Sequence, residues 1–370
     1  MALAVFQKGS KMSKKIGLHR CARSLAIVVL GLALTAPLFA QTTACVPPTD
    51  QQLTVYHAGS LTAAFKPLFA AFTCRTGIKI TDVFGPSVSL ARRCVASAKP
   101  CDLYASADYT DIDLFLKPQG YADFTIVFAK GRMVLAYSAK DVAAKNLAIA
   151  DPGSGPFHPP NSIPKASPDW YNVLTSPGVA IGGALPFMDP GAYRSYLIFQ
   201  LAQAFYKQPL LYDKLMSRVV VPGSNVVHSV AQLGTLYDFQ LTYEHNAHAT
   251  AEEDPDYRYV DLPAEINLSD PARNAFYAKN AVVVLPGFES PGNAQTIPIH
   301  GASVAWGITL LRDAPDRDNG IKFLQMLLGP AGTAALKEHG PEPISPAQVT
   351  PEDFRKLPIP LRSLAKGNSN

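Results

Sequence analysis

Residues 53–60 read Leu53-Thr54-Val55-Tyr56-His57-Ala58-Gly59-Ser60, and the stretch after them decides the fold. An apolar strand, Leu53 to Tyr56, stops at His57-Ala58-Gly59-Ser60, after which Leu61, Phe65, Leu68, Phe69 and Phe72 recur at helical spacing. The pattern then repeats: Ile78 to Phe84 as strand, Gly85-Pro86-Ser87 as turn, and a helix through Leu90 and Val95, followed by a third strand at Asp102 to Ala105. Strands alternating with helices predict an α/β fold with a largely parallel sheet covered on both faces, and ligands at the carboxyl ends of its strands.

Outward from this stretch, Phe124 to Ala129 and Met133 to Tyr137 form a long extended pair around Lys130-Gly131, suited to crossing between two lobes. The Pro- and Gly-rich residues 151–168 are expected to be surface loop. A helix begins near Asp189-Pro190 and carries Tyr193, Leu197, Leu201, Phe205 and Tyr206. Gly301 to Leu310 reads as strand and Ile321 to Leu328 as helix, while prolines 341, 343, 346, 351, 358 and 360 predict an irregular tail over 346–370. Residues 50–137 with 269–345 are expected to form one lobe, and 138–268 the other.

Lys8, Lys11, Lys14, Lys15, Arg20 and Arg23 precede an apolar run from Leu25 to Leu34, and no acidic residue occurs before Asp50. This is the pattern of a secretory signal over residues 1–40, cleaved after Ala40 or just before Cys45, and the run is short for a membrane span. The whole chain carries 33 basic and 29 acidic residues, and removing the signal leaves 27 against 29, so the mature chain has no basic excess with which to bind nucleic acid. About 330 residues remain, enough for two domains.

Cys21 leaves with the signal, and Cys45, Cys74, Cys94 and Cys101 remain. An even number in an oxidising compartment predicts two disulfides. Cys94 and Cys101 flank a short segment and can close a small loop, and Cys45 is paired with Cys74. The competing reading, a lipid-modified Cys45, has Thr42 where Leu is usual.

Two strand-to-helix turns end in a small residue and a hydroxyl, Gly59-Ser60 and Pro86-Ser87. Each can aim free helix N-terminal N–H groups and a side-chain donor at an anion. Singly, each serine is an ordinary helix cap, as is Asp189 before Pro190. Together, at neighbouring strand ends, the serines favour an anion site. Glu244, after Tyr243, reads by itself as a solvated charge.

The segments Val55 to Ser60, Asp102 to Tyr109, Tyr121 to Phe124 with Phe128-Ala129 and Leu135-Ala-Tyr137, Asp189-Pro-Gly-Ala-Tyr-Arg194 and Leu262 to Leu268 resemble the tungstate/molybdate-binding components of ABC transporters, especially the archaeal-type branch. The match runs in order from about residue 53 to 340. The resemblance implies a type II periplasmic-binding-protein fold whose two lobes close on the anion, an extracytoplasmic, non-enzymatic monomer, and a membrane permease as partner. It implies that Ser60 and Ser87 donate to oxyanion oxygens, assisted by backbone N–H groups near Ala58 and Gly59. Tyr243 lines the site, and Asp189 and Glu244 are the two carboxylates completing six-fold coordination of Mo or W, with no cofactor. Gly183-Ala184-Leu185, Pro86 and His245 depart from the family pattern. Two carboxylates beside a dianion would repel sulfate and phosphate, whereas a hexavalent metal centre accepts their oxygens.

Other readings are weaker. His57 and Ser60 suggest a nucleophile and base, but no Gly-x-Ser-x-Gly elbow is present. Glu244, His245, His248 and Glu252 have helical spacing for zinc or iron but sit in a polar, acidic segment. Sulfate, thiosulfate or phosphate is the alternative ligand, with Arg194 available as a phosphate partner, although Arg194 is expected in an exposed or intra-lobe ion pair.

Overall fold

β1 (Gln52–Ala58) runs into a single 3-10 turn (Gly59–Leu61) and α1 (Thr62–Thr76), followed by β2 (Lys79–Gly85), α2 (Ser87–Ala96) and β3 (Leu103–Ser106). β1 lies between β2 and β3 and is parallel to both. Leu53, Val55 and Tyr56 are buried because helices cover both faces of this region. The computed structural model describes residues 44–96, 101–221, 232–287 and 295–367, and the signal segment at 1–40 lies outside the described residues.

The chain continues through β4 (Ile126–Lys130), β5 (Met133–Ser138), α3 (Ala139–Ala144), α4 (Trp170–Leu174), β6 (Ile181–Gly182), α5 (Pro190–Tyr206), α6 (Leu211–Met216), β7 (Val219–Val220) and β8 (Phe239–Tyr243). Then come α7 (Glu244–Glu253), β9 (Tyr257–Asp261), α8 (Asn274–Asn280), β10 (Val282–Pro286), β11 (Thr296–His300) and β12 (Ala305–Leu310). The last elements are α9 (Arg317–Leu328), α10 (Pro330–His339), β13 (Glu342–Val349), α11 (Pro351–Lys356) and β14 (Ala365–Gly367).

Among the described residues one sheet has the order β14-β13-β4-β12-β3-β1-β2 and the second β7-β6-β8-β5-β9, with β10 and β11 a separate hairpin. Between named strands of the described residues, parallel pairing joins β1–β2–β3, β6–β7–β8 and β13–β14. The strands next to the crossings, β4, β5 and β12, pair antiparallel, so both sheets are mixed.

The chain passes from the first sheet to the second at Gly131-Arg132, because β5 pairs with β8 and β9. The extended pair expected before Tyr137 is thus divided between two sheets. The return path lies against the same point: Gly131 N–H donates to Val304 O (3.1 Å), Met133 N–H to Asn267 O (3.0 Å) and Val304 N–H to Leu268 O (2.8 Å). A Cβ at Gly131 would meet the Trp306 ring at 3.0 Å, so the crossing needs glycine for close approach. The β10–β11 hairpin is tied to α5, where the Gln200 amide both donates to Val282 O (2.9 Å) and accepts from its N–H (2.8 Å).

Residues 346–367 are ordered into sheet and helix rather than forming the expected irregular tail. Their prolines fall where proline is tolerated: Pro351 starts α11 and Pro346 lies where the β13–β4 pairing is irregular. Cys45 is bonded to Cys74 (Cα–Cα 4.4 Å) and Cys94 to Cys101 (5.8 Å), because α1 and α2 each return towards the strand beginnings. Among the described residues no helix is long and apolar enough to cross a membrane.

Candidate functional site

Ala58 and Gly85 are paired in register, so the turns that follow β1 and β2 emerge side by side. After β1, the Ser60 hydroxyl accepts from Trp306 Nε1 at 2.9 Å. After β2, the Ser87 hydroxyl accepts from Ala107 N–H at 3.1 Å and is fully buried. Each oxygen is fixed by one donor, which leaves its own proton for another acceptor. Gly59, between Ala58 and Ser60, is exposed.

The second sheet brings its own groups to this edge. The loop after β6 ends at Asp189, the N-cap of α5, whose Oδ1 accepts from Gly191 N–H at 2.8 Å. A Cβ on Gly191 would press on that oxygen at 3.0 Å. Oδ2 accepts from Ser87 N–H at 3.3 Å, and Met188 O accepts from Ser89 N–H at 3.2 Å. Burial raises the Asp189 pKa, and the Gly191 and Ser87 N–H bonds oppose that rise. Asp189 therefore both caps its own helix and lies at the start of α2, where a negative group is favoured by the helix dipole.

At the Ser60 turn, His245 Nε2 lies 2.9 Å from Ser60 O, which identifies that nitrogen as the protonated one. Burial lowers the His245 pKa to about 4, so this imidazole is neutral. The Tyr243 and Trp306 rings pack with centroids 5.0 Å apart, and His245 and Trp306 at 5.2 Å. Tyr243 thus lines the same junction through its ring, while its hydroxyl accepts from Arg194 Nη1 at 2.8 Å.

Arg194 is buried, at 2 % exposure, and joins the two halves. Its Nη1 donates to Ala107 O (2.7 Å) and its Nη2 pairs with Asp108 (3.0 Å), both just after β3. Tyr193 donates to Asp108 Oδ2 at 2.8 Å, and Ser106 to Asp111 at 2.6 Å. Burial, reinforced by Asp108, raises the Asp111 pKa strongly. Arg194 therefore pairs across the two halves, in place of the exposed or intra-lobe pair expected.

Glu244, between Tyr243 and His245, points to a neighbouring partner. It begins α7, and its Oε1 accepts from Arg132 Nη2 at 2.9 Å, beside the crossing between sheets. It lines a cavity of about 400 Å³ with Lys130, Arg132, His248, Lys337 and Glu342; Ser60, Ser87 and Asp189 do not line that cavity, but His245, which contacts Ser60 O, does. Burial raises its pKa, and the Arg132 charge opposes the rise. The other members of the proposed zinc cluster also have their own partners: His245 contacts Ser60 O, and His248 pairs with Glu252 at 3.5 Å. Among the described residues no group of three or more His, Cys, Asp or Glu could hold a metal ion.

Residues 53–342 match the family described as bacterial extracellular solute-binding protein. The chain belongs to that family. Among relatives of this solute-binding protein, the molybdate/tungstate-binding protein WtpA of Pyrococcus abyssi is 28% identical over 85% of this chain and 90% of its own. Two solved structures share the fold. The sulfate-binding protein SubI from Mycobacterium tuberculosis is 14% identical, with TM-score 0.54 over 84% of this chain and 93% of its own. The periplasmic molybdate-binding protein of Azotobacter vinelandii is 17% identical, with TM-score 0.50 over 78% and 98%.

In this solute-binding protein, sequence reasoning found Ser60, Ser87 and Asp189 at the junction but missed the roles of Trp306, Asp108 and Asp111. The one available signal was Arg194 itself, the single charged residue within the otherwise uncharged helix Pro190–Tyr206. A lone cation in a helix that is apolar all round is buried and needs a partner.

Proposed function

We propose that this solute-binding protein captures a tetrahedral oxyanion, molybdate or tungstate, and delivers it as an extracytoplasmic monomer to the membrane permease of an ABC transporter. The observation that carries the reading is the meeting of two serine-bearing helix starts, on adjacent parallel strands, with the carboxylate of Asp189 from the other sheet. The helix starts and hydroxyls supply donors for an oxyanion without a free cation. A carboxylate there disfavours anions in general, but an Mo or W centre can accept its oxygen, and this difference is the proposed source of selectivity against sulfate. The molybdate/tungstate-binding name of the 28% identical relative agrees with this assignment.

Arg194 is committed to Asp108, Ala107 and Tyr243, so a phosphate reading that recruits it loses its cation. Glu244 is paired through Oε1 with Arg132, whereas Asp189 stands at the Ser87 helix start, so the proposal assigns Asp189 the larger part.

Calorimetric titration of the protein with tungstate, molybdate, sulfate and phosphate tests this reading. Ser60→Ala is expected to weaken every oxyanion by roughly 10- to 150-fold, the value of one charge-assisted hydrogen bond. Asp189→Asn keeps the helix cap, yet it should reduce discrimination between tungstate and sulfate. Glu244→Gln should have a smaller effect. Wild-type protein that binds sulfate and ignores tungstate and molybdate would replace this reading with the sulfate alternative.

A further inference from the structure

One buried titratable group beside the site has no part in that chemistry. His57 occupies the end of β1, is fully buried, and is surrounded by Phe65, Phe69 and Phe84 with ring centroids at 5.0, 5.8 and 6.0 Å. Its Nδ1 lies 2.8 Å from Ala58 O and its Nε2 lies 2.8 Å from Asp82 Oδ1. A carbonyl and a carboxylate are both acceptors, so each ring nitrogen needs a hydrogen, and only the imidazolium carries both. The Asp82 carboxylate supplies the matching charge.

The Ala58 carbonyl belongs to the peptide that leads into the Gly59-Ser60 turn. In a trans peptide the C=O and the following N–H point in opposite directions. Holding Ala58 O towards the His57 ring therefore turns the Gly59 N–H away from that ring, at an exposed residue directly before Ser60. The ring thereby sets the direction of a donor in the anion turn and places a positive charge behind it.

We propose that His57, held as an imidazolium by Asp82, is a positioning residue for the oxyanion site. This rests on the oxyanion reading given above. Of the charged groups nearby, Lys66 of α1 and Lys79 of β2 line the same cavity as Asp82. From β3 the register partner of His57 is Ala105, which carries no charge. His245, at the same turn from the other sheet, is neutral.

The test combines ring-nitrogen NMR of the full chain, free of ligand, with tungstate titrations of wild type, His57→Phe and Asp82→Asn from pH 6 to 9. The expected result is two ring N–H groups on His57 at pH 7, with a tungstate affinity that follows the ring's protonation at each pH. His57→Phe, which keeps an aromatic ring and removes both donors, should lose about tenfold or more in affinity, the scale of a lost charge-assisted bond. Asp82→Asn, at a half-exposed position, should favour the neutral ring and weaken tungstate in parallel, providing a second variant should His57→Phe not fold. A His57 with one ring N–H at pH 7, or an affinity unchanged while the ring loses its proton, overturns the inference. Wild-type protein that binds no oxyanion at all overturns instead the reading on which it rests.

Discussion

The Ser60 turn shows how much of one residue's behaviour depends on neighbours distant in sequence. His245 is held at a pKa of about 4 by burial, whereas an unfolded chain binds that proton near pH 6.5. Between these values the unfolded state holds more protons, so stability rises with pH through the window, is complete above the unfolded pKa, and falls as the pH drops towards 4. We expect urea denaturation at pH 4.5 and pH 7 to show about 2–3 kcal/mol of lost stability from this residue. His245→Gln keeps a donor for Ser60 O without a titrating group and should lack that component. Ser60 and Ser87 were legible because a glycine or proline turn followed by a hydroxyl is a local pattern. Glu244 was not, since its partner Arg132 lies 112 residues away, and residue type alone does not state which charge a side chain meets.

At the scale of elements, strand-turn-helix units were legible wherever hydrophobic spacing and turn chemistry agreed, as in β1 to β3. The C-terminal segment was not. Its prolines suggested irregularity, yet β13 pairs with β4 and β14 lies beyond it. Leu357, Leu361 and Val349 are buried there, and Asp353 accepts from Thr125 N–H at 3.0 Å while pairing with Lys117 at 2.5 Å. Ending the chain after Ser345 would expose the β4 edge and remove three large apolar side chains, each contributing about 1.5–3 kcal/mol. Such a loss is comparable with the whole stability of a domain, about 5–15 kcal/mol. The expected outcome is a protein without a cooperative thermal transition by circular dichroism. A truncated chain melting within a few degrees of wild type would show that this segment is only an appendage.

For the whole molecule, the two sheets meet at the site through hydrogen bonds of Ser87 with Asp189, Ser89 with Met188 and Ser60 with His245, through Arg194 and Tyr193 with Asp108, and through the Tyr243 and His245 rings on Trp306. The serine and aspartate contacts among these can exchange for a ligand, and saturating tungstate is expected to lower the radius of gyration measured by small-angle X-ray scattering. A radius that stays constant as tungstate binds would indicate that no closure accompanies capture. The sequence by itself determined the α/β character, the serine turns, the capping aspartate and the pairing of cysteines, because each depends on spacing within a few tens of residues. Only the tertiary structure decided that the chain crosses at Gly131-Arg132, that Arg194 reaches Asp108 and that Glu244 turns to Arg132. These are long-range pairings of buried or half-buried charge, and such a charge takes the opposite partner that folding brings within reach.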